Sequence, residues 1–259
     1  MKSLAIAIIT CSRYTNRLIH LLQDQDTSLM DHDFKIYSKE PSDYLITYEF
    51  NETTKNKWLN YLPLIYQSLR DNIILLDPNA SSLLPIKYPA NQPYIDLPTW
   101  LLPRCLTTGD LSVLSKHLKA LNDFLQGSDD CLLIMEDDVI ISSQGILNLH
   151  KLIQKLSFDF IDIAGGDGLL VQHHDVNILD TFFLENKKNL STRTACAYLV
   201  SRNSAYQLMM ILKNPVMPID WSLSVSLHFI SSRLGVYWLD GDFMTHGSSV
   251  GAVKSWRSA

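Results

Sequence analysis

The stretch Cys131–Ile141, CLLIMEDDVII, runs from continuous apolar chain into three adjacent carboxylates and back to apolar chain. An apolar run of this length is what a strand covered on both faces looks like, so residues 131–135 are read as a buried strand. Glu136, Asp137 and Asp138 then fall at its carboxyl end, where open α/β sheets bind their ligands. Like charges this close raise one another's pKa and resist ionising unless a cation neutralises them. Oxygen ligands from Glu136 and Asp138 suit a hard divalent ion, Mn²⁺ or Mg²⁺, which keeps positions open for substrate phosphates. The competing reading is a solvent-facing acidic turn, and the apolar bracketing argues against it.

Around this stretch, strand and helix patterns alternate. Leu4–Ile9 reads as a first buried strand ending at Thr10-Cys11-Ser12-Arg13, with a helix from Tyr14 to Leu22. Asn72–Asp77 reads as a second buried strand. Residues 84–104 hold five of the ten prolines and form an irregular loop, because proline fixes φ and removes donors. Within that loop, Tyr88, Tyr94 and Trp100 are read as packing residues, with acceptor stacking as the alternative. In the segment 107–127, leucines at 111, 114, 118, 121 and 125 define one apolar helix face. Thr107 with Asp110 forms a capping box, Gly127 marks the exit, and His117 projects near the apolar side as a hydrogen-bonded core histidine. A helix over 146–156, a strand entering a glycine-rich turn over 158–168, a strand over 195–200 and a helix from Ser201 or Asn203 to Lys213 follow. Residues 219–232 alternate as a strand would, yet Asp220 suits a helix N-cap, and helix is preferred. A late strand covers 235–242, followed by a small-residue tail. The expected fold is α/β, with a mostly parallel Rossmann-like sheet and helices on both faces.

The chain has 259 residues, enough for one well-buried domain spanning 1–259. A net charge of −5, without a basic stripe interleaved with aromatics, argues against nucleic acid. The six-residue apolar run at the N-terminus is short for a signal peptide, and no segment approaches the roughly 20 apolar residues of a membrane span. Cys11, Cys105, Cys131 and Cys196 lack metal-type spacing and are read as buried thiols, which makes the cytoplasm the default location.

Four motifs, GDLSVLSKHLKAL, LLIMEDDVII, TRTACAYLVSRNSAYQLM and MPIDWSLS, occur in the order and spacing of glycosyltransferase family 25. The resemblance runs from about Leu106 to the C-terminus. The first hundred residues match poorly, although IITCSR resembles the first strand and nucleotide-binding turn of GT-A glycosyltransferases. This family includes lipopolysaccharide and collagen galactosyltransferases. The resemblance implies a GT-A fold, a UDP-hexose donor (galactose or glucose) and a glycan or lipid-linked glycan acceptor, with at most peripheral membrane contact. It places Glu136 and Asp138 at the metal and diphosphate, Asp137 near the donor, and His246 as a further metal ligand or else a polar residue of the tail. His173-His174 is the weaker ligand pair.

An inverting transfer needs a carboxylate base, and Asp220 is the choice, with plain N-capping as its other role. Asp162, Asp167 and Asp240 are rivals. Arg13 and Thr10 are expected at the nucleotide, and Arg193, Lys254 and Arg257 at the diphosphate. The glycine- and serine-rich tail is expected to close over the donor as a flexible lid. Two other readings stay open: a non-catalytic carbohydrate- or nucleotide-binding module, and a metal-dependent nucleotidyltransferase. The absence of glycine from TCSRYTN disfavours the second.

Overall fold

Nearly continuous burial along Leu4–Ile9 (β1) and Cys131–Glu136 (β3), with successive side chains joining opposite faces, explains how one sheet receives two helical layers. Ile6, Ile8, Leu133 and Met135 point to one face, while Ala7, Ile9, Leu132 and Ile134 point to the other. The structure, a computed structural model, describes residues 2–11, 15–23, 33–38, 48–73, 103–142, 144–164, 176–179, 182–186, 192, 194–230, 235–240 and 243–247. The remaining strands are β2 (Phe34–Tyr37), β4 (Val139–Ile141), β5 (Phe160–Asp162), β6 (Val176–Leu179), β7 (Phe182–Asn186), β8 (Ala197–Ser201), β9 (Val236–Asp240) and β10 (Met244–His246). The helices are α1 (Thr15–Gln23), α2 (Glu52–Ile73), α3 (Thr108–Gln126), α4 (Gly145–Lys155), α5 (Arg202–Leu212) and α6 (Ile219–Leu227).

Eight strands form one sheet in the order β2-β1-β3-β8-β5-β9-β7-β6, and β10 pairs with β4 in a separate two-stranded sheet. β2, β1 and β3 run parallel, β8 runs against both β3 and β5, and β9 is again parallel to β5. Five of these six central strands therefore share a direction, as expected of a Rossmann-like α/β sheet. The reversed β8 and the antiparallel β7–β6 extension were not foreseen.

On one face, Leu21 of α1 and Ile146, Leu149, Leu152 and Ile153 of α4 bury against the sheet. α3, α5 and α6 cover the other through Leu114, Leu118, Leu121, Leu208, Leu212 and Leu223. Fully burying a leucine side chain stabilises the fold by about 1.5–3 kcal/mol, so these two seams are the main source of stability. Trp58 and Leu62 of α2 close a third cluster with Leu106, Val216, Met217 and Val225.

Several local expectations hold. Thr107 caps α3 in a reciprocal box with Asp110, Ser201 caps α5 by accepting from Ser204 N–H, and residues 219–227 are helical. Gly127 does end α3, but with φ −84°, so its left-handed freedom is not used. Others need correction. Asn72 and Ile73 are the last residues of helix α2 rather than the start of a strand; residues 74–77 lie outside the described chain. Here the helix that starts at Glu52 and is anchored by Trp58 and Leu62 extends as far as Ile73. The strand read as entering a turn within 158–168 starts at Phe160 and runs to Asp162, since Asp159 is engaged with Gly235 before β9; residues 165–168 lie outside the described chain. Pro218, not Asp220, is the N-cap of α6. Cys105 is exposed and Cys11 partly so, whereas Cys131 and Cys196 are buried as expected. The start of the tail is ordered: Met244–His246 pair with Ile141–Val139 as a strand. Among the described residues no helix is long and apolar enough to cross a membrane.

Candidate metal and donor site

The parallel register places Ile9 beside Glu136, so the chain after β1 lies against the chain after β3. Thr10 Oγ1 donates to Asp137 Oδ2 at 2.6 Å across this gap, and Arg17 Nη1 of α1 lies 3.5 Å from Asp137 Oδ1. Two residues expected at the nucleotide, Thr10 and Asp137, therefore meet.

The turn at Asp137-Asp138 leads into β4, and β4 carries the second half of the site. Its antiparallel pairing sets Val139 opposite His246, and Gly247 N–H donates to the Asp138 carbonyl at 2.8 Å. His246 Nε2 consequently lies 3.2 Å from Asp138 Oδ2. From the reversed strand side, Cys196 Sγ approaches Asp138 Oδ1 at 3.5 Å, while Glu136 N–H donates to the Cys196 carbonyl at 2.7 Å. The ligand atoms of Asp138, Cys196 and His246 all lie within 4.8 Å of one another. Glu136, expected as a ligand beside Asp138 and His246, is outside this cluster. Its Oε1 lies 3.5 Å from His117 Nε2.

His117 is fully buried, stacked at 10° on the Tyr198 ring, with Nδ1 3.0 Å from the Tyr198 hydroxyl. The 3.5 Å approach to Glu136 is not a hydrogen bond, which leaves Nε2 a buried polar atom without a hydrogen-bond partner. Burial, joined by the nearby Lys116 charge and only partly countered by Asp220, lowers its pKa to about 4, so the ring is neutral.

The acids repel one another. Enclosure, followed by the charges of Asp138, Asp220 and Asp137, pushes Glu136 up to about 8. Asp137 is raised as well, chiefly by burial, although the Thr10 hydroxyl and the Arg17 guanidinium oppose the rise. Burial and then Asp138 drive the Cys196 thiol well above its ordinary value. Enclosed carboxylates in this state are an electrostatic deficit that a divalent cation discharges. With a carboxylate oxygen and an imidazole nitrogen 3.2 Å apart beside them, the residues fit such an ion.

Asp220, in the first turn of α6, accepts from Ala195 N–H at 2.8 Å through Oδ1. Its charge is felt at both Glu136 and His117, which puts it in the same electrostatic neighbourhood. Of the rival bases, Asp162 is fully buried and accepts from Thr192 Oγ1 at 2.6 Å, a structural position. Asp240 ends β9, in register with Phe183. Arg13, Asp167, His173, His174, Arg193, Lys254, Arg257, Tyr88, Tyr94 and Trp100 lie outside the described residues.

Arg17 and Cys196 were missed by sequence reading. Arg17 lies in α1, four positions after Arg13 in the sequence, and that proximity to the expected nucleotide turn was its only signal. Comparison with protein-family models finds no match, and comparison with curated proteins finds none either.

Proposed function

We propose that this chain is a metal-dependent, inverting glycosyltransferase of the GT-A type, moving a hexose from a UDP-sugar to a glycan or lipid-linked glycan acceptor. The reading extends to a cytoplasmic protein with at most peripheral membrane contact. The observation that carries it is the meeting of Asp138 with His246, beside Thr10–Asp137, at the carboxyl ends of parallel strands β1 and β3. The motif resemblance to glycosyltransferase family 25 supports the same reading.

In this mechanism Asp138 and His246 would hold Mn²⁺ or Mg²⁺, with the Glu136 carboxylate at the end of β3 as the nearest further acid. Such an ion, when bound, would supply Lewis-acid neutralisation of charge on the diphosphate leaving group. Thr10 and Asp137 position the nucleotide end of the donor. The Ala195 N–H fixes the Asp220 carboxylate, and Asp220 takes the proton of the acceptor hydroxyl on the opposite face of the sugar. Neutral His117 backs Glu136 without adding charge.

A thermal-shift screen of nucleotide sugars with and without Mn²⁺ tests this, because a ligand that binds only the folded state raises the melting temperature. The expected result is a manganese-dependent shift with one UDP-sugar that disappears in Asp138→Ala. A shift with no donor under either condition, together with no hydrolysis of any UDP-sugar, would remove the proposal.

A further inference from the structure

We infer that Cys196 is a metal ligand, and that Asp138, Cys196 and His246 form a three-point site for a thiophilic divalent ion of the Zn²⁺ class, which binds there more tightly than Mn²⁺. The inference rests on the position assigned above to the ion, not on glycosyl transfer itself.

Tetrahedral zinc with its usual bond lengths separates neighbouring ligand atoms by about 3.3 to 3.6 Å. The nitrogen of His246 and the sulfur of Cys196 already stand 3.2 and 3.5 Å from the two oxygens of Asp138. The two approaches are to different oxygens of the carboxylate, and one ligand atom from each of the three residues falls within 4.8 Å of the others, so a contraction of about 1 Å or less completes the set. Backbone pairing holds each ligand in place: Cys196 through its carbonyl to Glu136 N–H, and Asp138 and His246 through the β4–β10 ladder. Cys196 and Asp138 are buried, whereas the His246 side chain keeps 16% exposure, so the cluster meets solvent on the His246 side.

A site of three carboxylates would favour Mg²⁺ or Mn²⁺; sulfur and imidazole move the preference to zinc, which also outranks manganese at any mixed site. On binding, a Zn–S bond replaces the S–H bond and one proton leaves to solvent, with no oxidant or reductant involved. Zinc would therefore hold the position from which manganese supports donor binding and would act as its competitor.

Co²⁺ is the probe, because a thiolate ligand produces a near-ultraviolet charge-transfer band and tetrahedral coordination intensifies its visible bands. The full chain, stripped with chelator, is titrated with Co²⁺ in the absence of nucleotide. The expected result is a charge-transfer band that Zn²⁺ abolishes and excess Mn²⁺ does not. Cys131→Ser, altered at the far end of β3, keeps the band; Cys196→Ser loses it and binds Zn²⁺ about 100-fold more weakly, the upper end of what losing even an outer-shell partner costs. His246→Ala, altered at a partly exposed position, loses the visible intensity and guards against misfolding of the Cys196 variant. A wild-type chain without the band, or a band that survives in folded Cys196→Ser, overturns the inference. A chain that shows the band but neither a UDP-sugar shift, with or without Mn²⁺, nor UDP-sugar hydrolysis keeps this metal site and removes the glycosyltransferase reading; the reverse result does the opposite.

Discussion

Thr10 and Asp137, 127 positions apart in the chain, are joined by a 2.6 Å hydrogen bond that ties the end of β1 to the turn after β3. A buried carboxylate that loses one of its donors bears most of the desolvation penalty alone. Thr10→Val keeps the shape and removes only the donor. It is expected to lower stability by about 1–3 kcal/mol, read by urea denaturation. The same variant should also weaken any Mn²⁺-dependent donor shift, since Asp137 loses its orientation. A variant as stable as wild type would show that Arg17 and the Cys11 backbone N–H suffice to hold Asp137.

Gly145 opens α4 directly beneath the strand that delivers His246. A Cβ there would run into the Phe243 carbonyl and stand 2.9 Å from Ile141 Cγ2. The same Phe243 carbonyl accepts from Ser142 N–H at 2.9 Å, so it cannot retreat without breaking that bond. Gly145→Ala is therefore expected to destabilise the fold by about 1–3 kcal/mol through overpacking. Because Phe243 leads into β10, the substitution should also shift His246 away from Asp138. Metal titration of the folded variant should show weaker binding than wild type, whereas Asn148→Ala, one turn along α4, should leave metal binding unchanged.

The α3 cap gives a pH prediction. Asp110 is mostly buried, which by itself raises its pKa, but the bond from Arg104 and those from Thr107 outweigh burial and leave it below the ordinary carboxylate value. A depressed folded-state pKa contributes stability that is fully present above the unfolded value, about 4, and is lost as pH falls through the folded value. Asp110→Asn should thus cost about 1–2 kcal/mol at neutral pH. The gap between the two chemical denaturation midpoints should close below about pH 4. A gap that is constant from neutral to acid pH would mean that the cap works without the Asp110 charge.

What could be read in the sequence was local. The α3 capping box spans Thr107 to Asp110, and the β3 strand with its terminal acids is a contiguous run, so both follow from near neighbours. α2 was hidden because Pro63 sits in its interior, where proline usually argues against a helix. The reversal of β8 is a property of chain crossing, which periodicity does not record. Cys196 reaches Asp138 across 58 residues only because β8 is inserted beside β3. His246 could be suspected as a ligand from its residue type, but its place follows from the Val139–His246 register, which the tail sequence does not reveal.

Asp220 separates binding from turnover. Its Oδ1 accepts from Ala195 N–H, and an asparagine oxygen can accept the same bond, so Asp220→Asn should fold and hold α6 as wild type does. What the amide cannot do is take a proton from an acceptor hydroxyl. Loss of a positioned general base slows reactions by about 10²–10⁴-fold. Asp220→Asn is accordingly expected to keep the Mn²⁺-dependent UDP-sugar shift while acceptor-dependent release of UDP falls by that factor. Asp138→Ala should lose both, since it removes the ion. If Asp220→Asn turns over at the wild-type rate, the base is another group, and Asp162 is a poor substitute because its carboxylate is fully buried and bonded to Thr192. The search would then move to Asp240, at the end of β9.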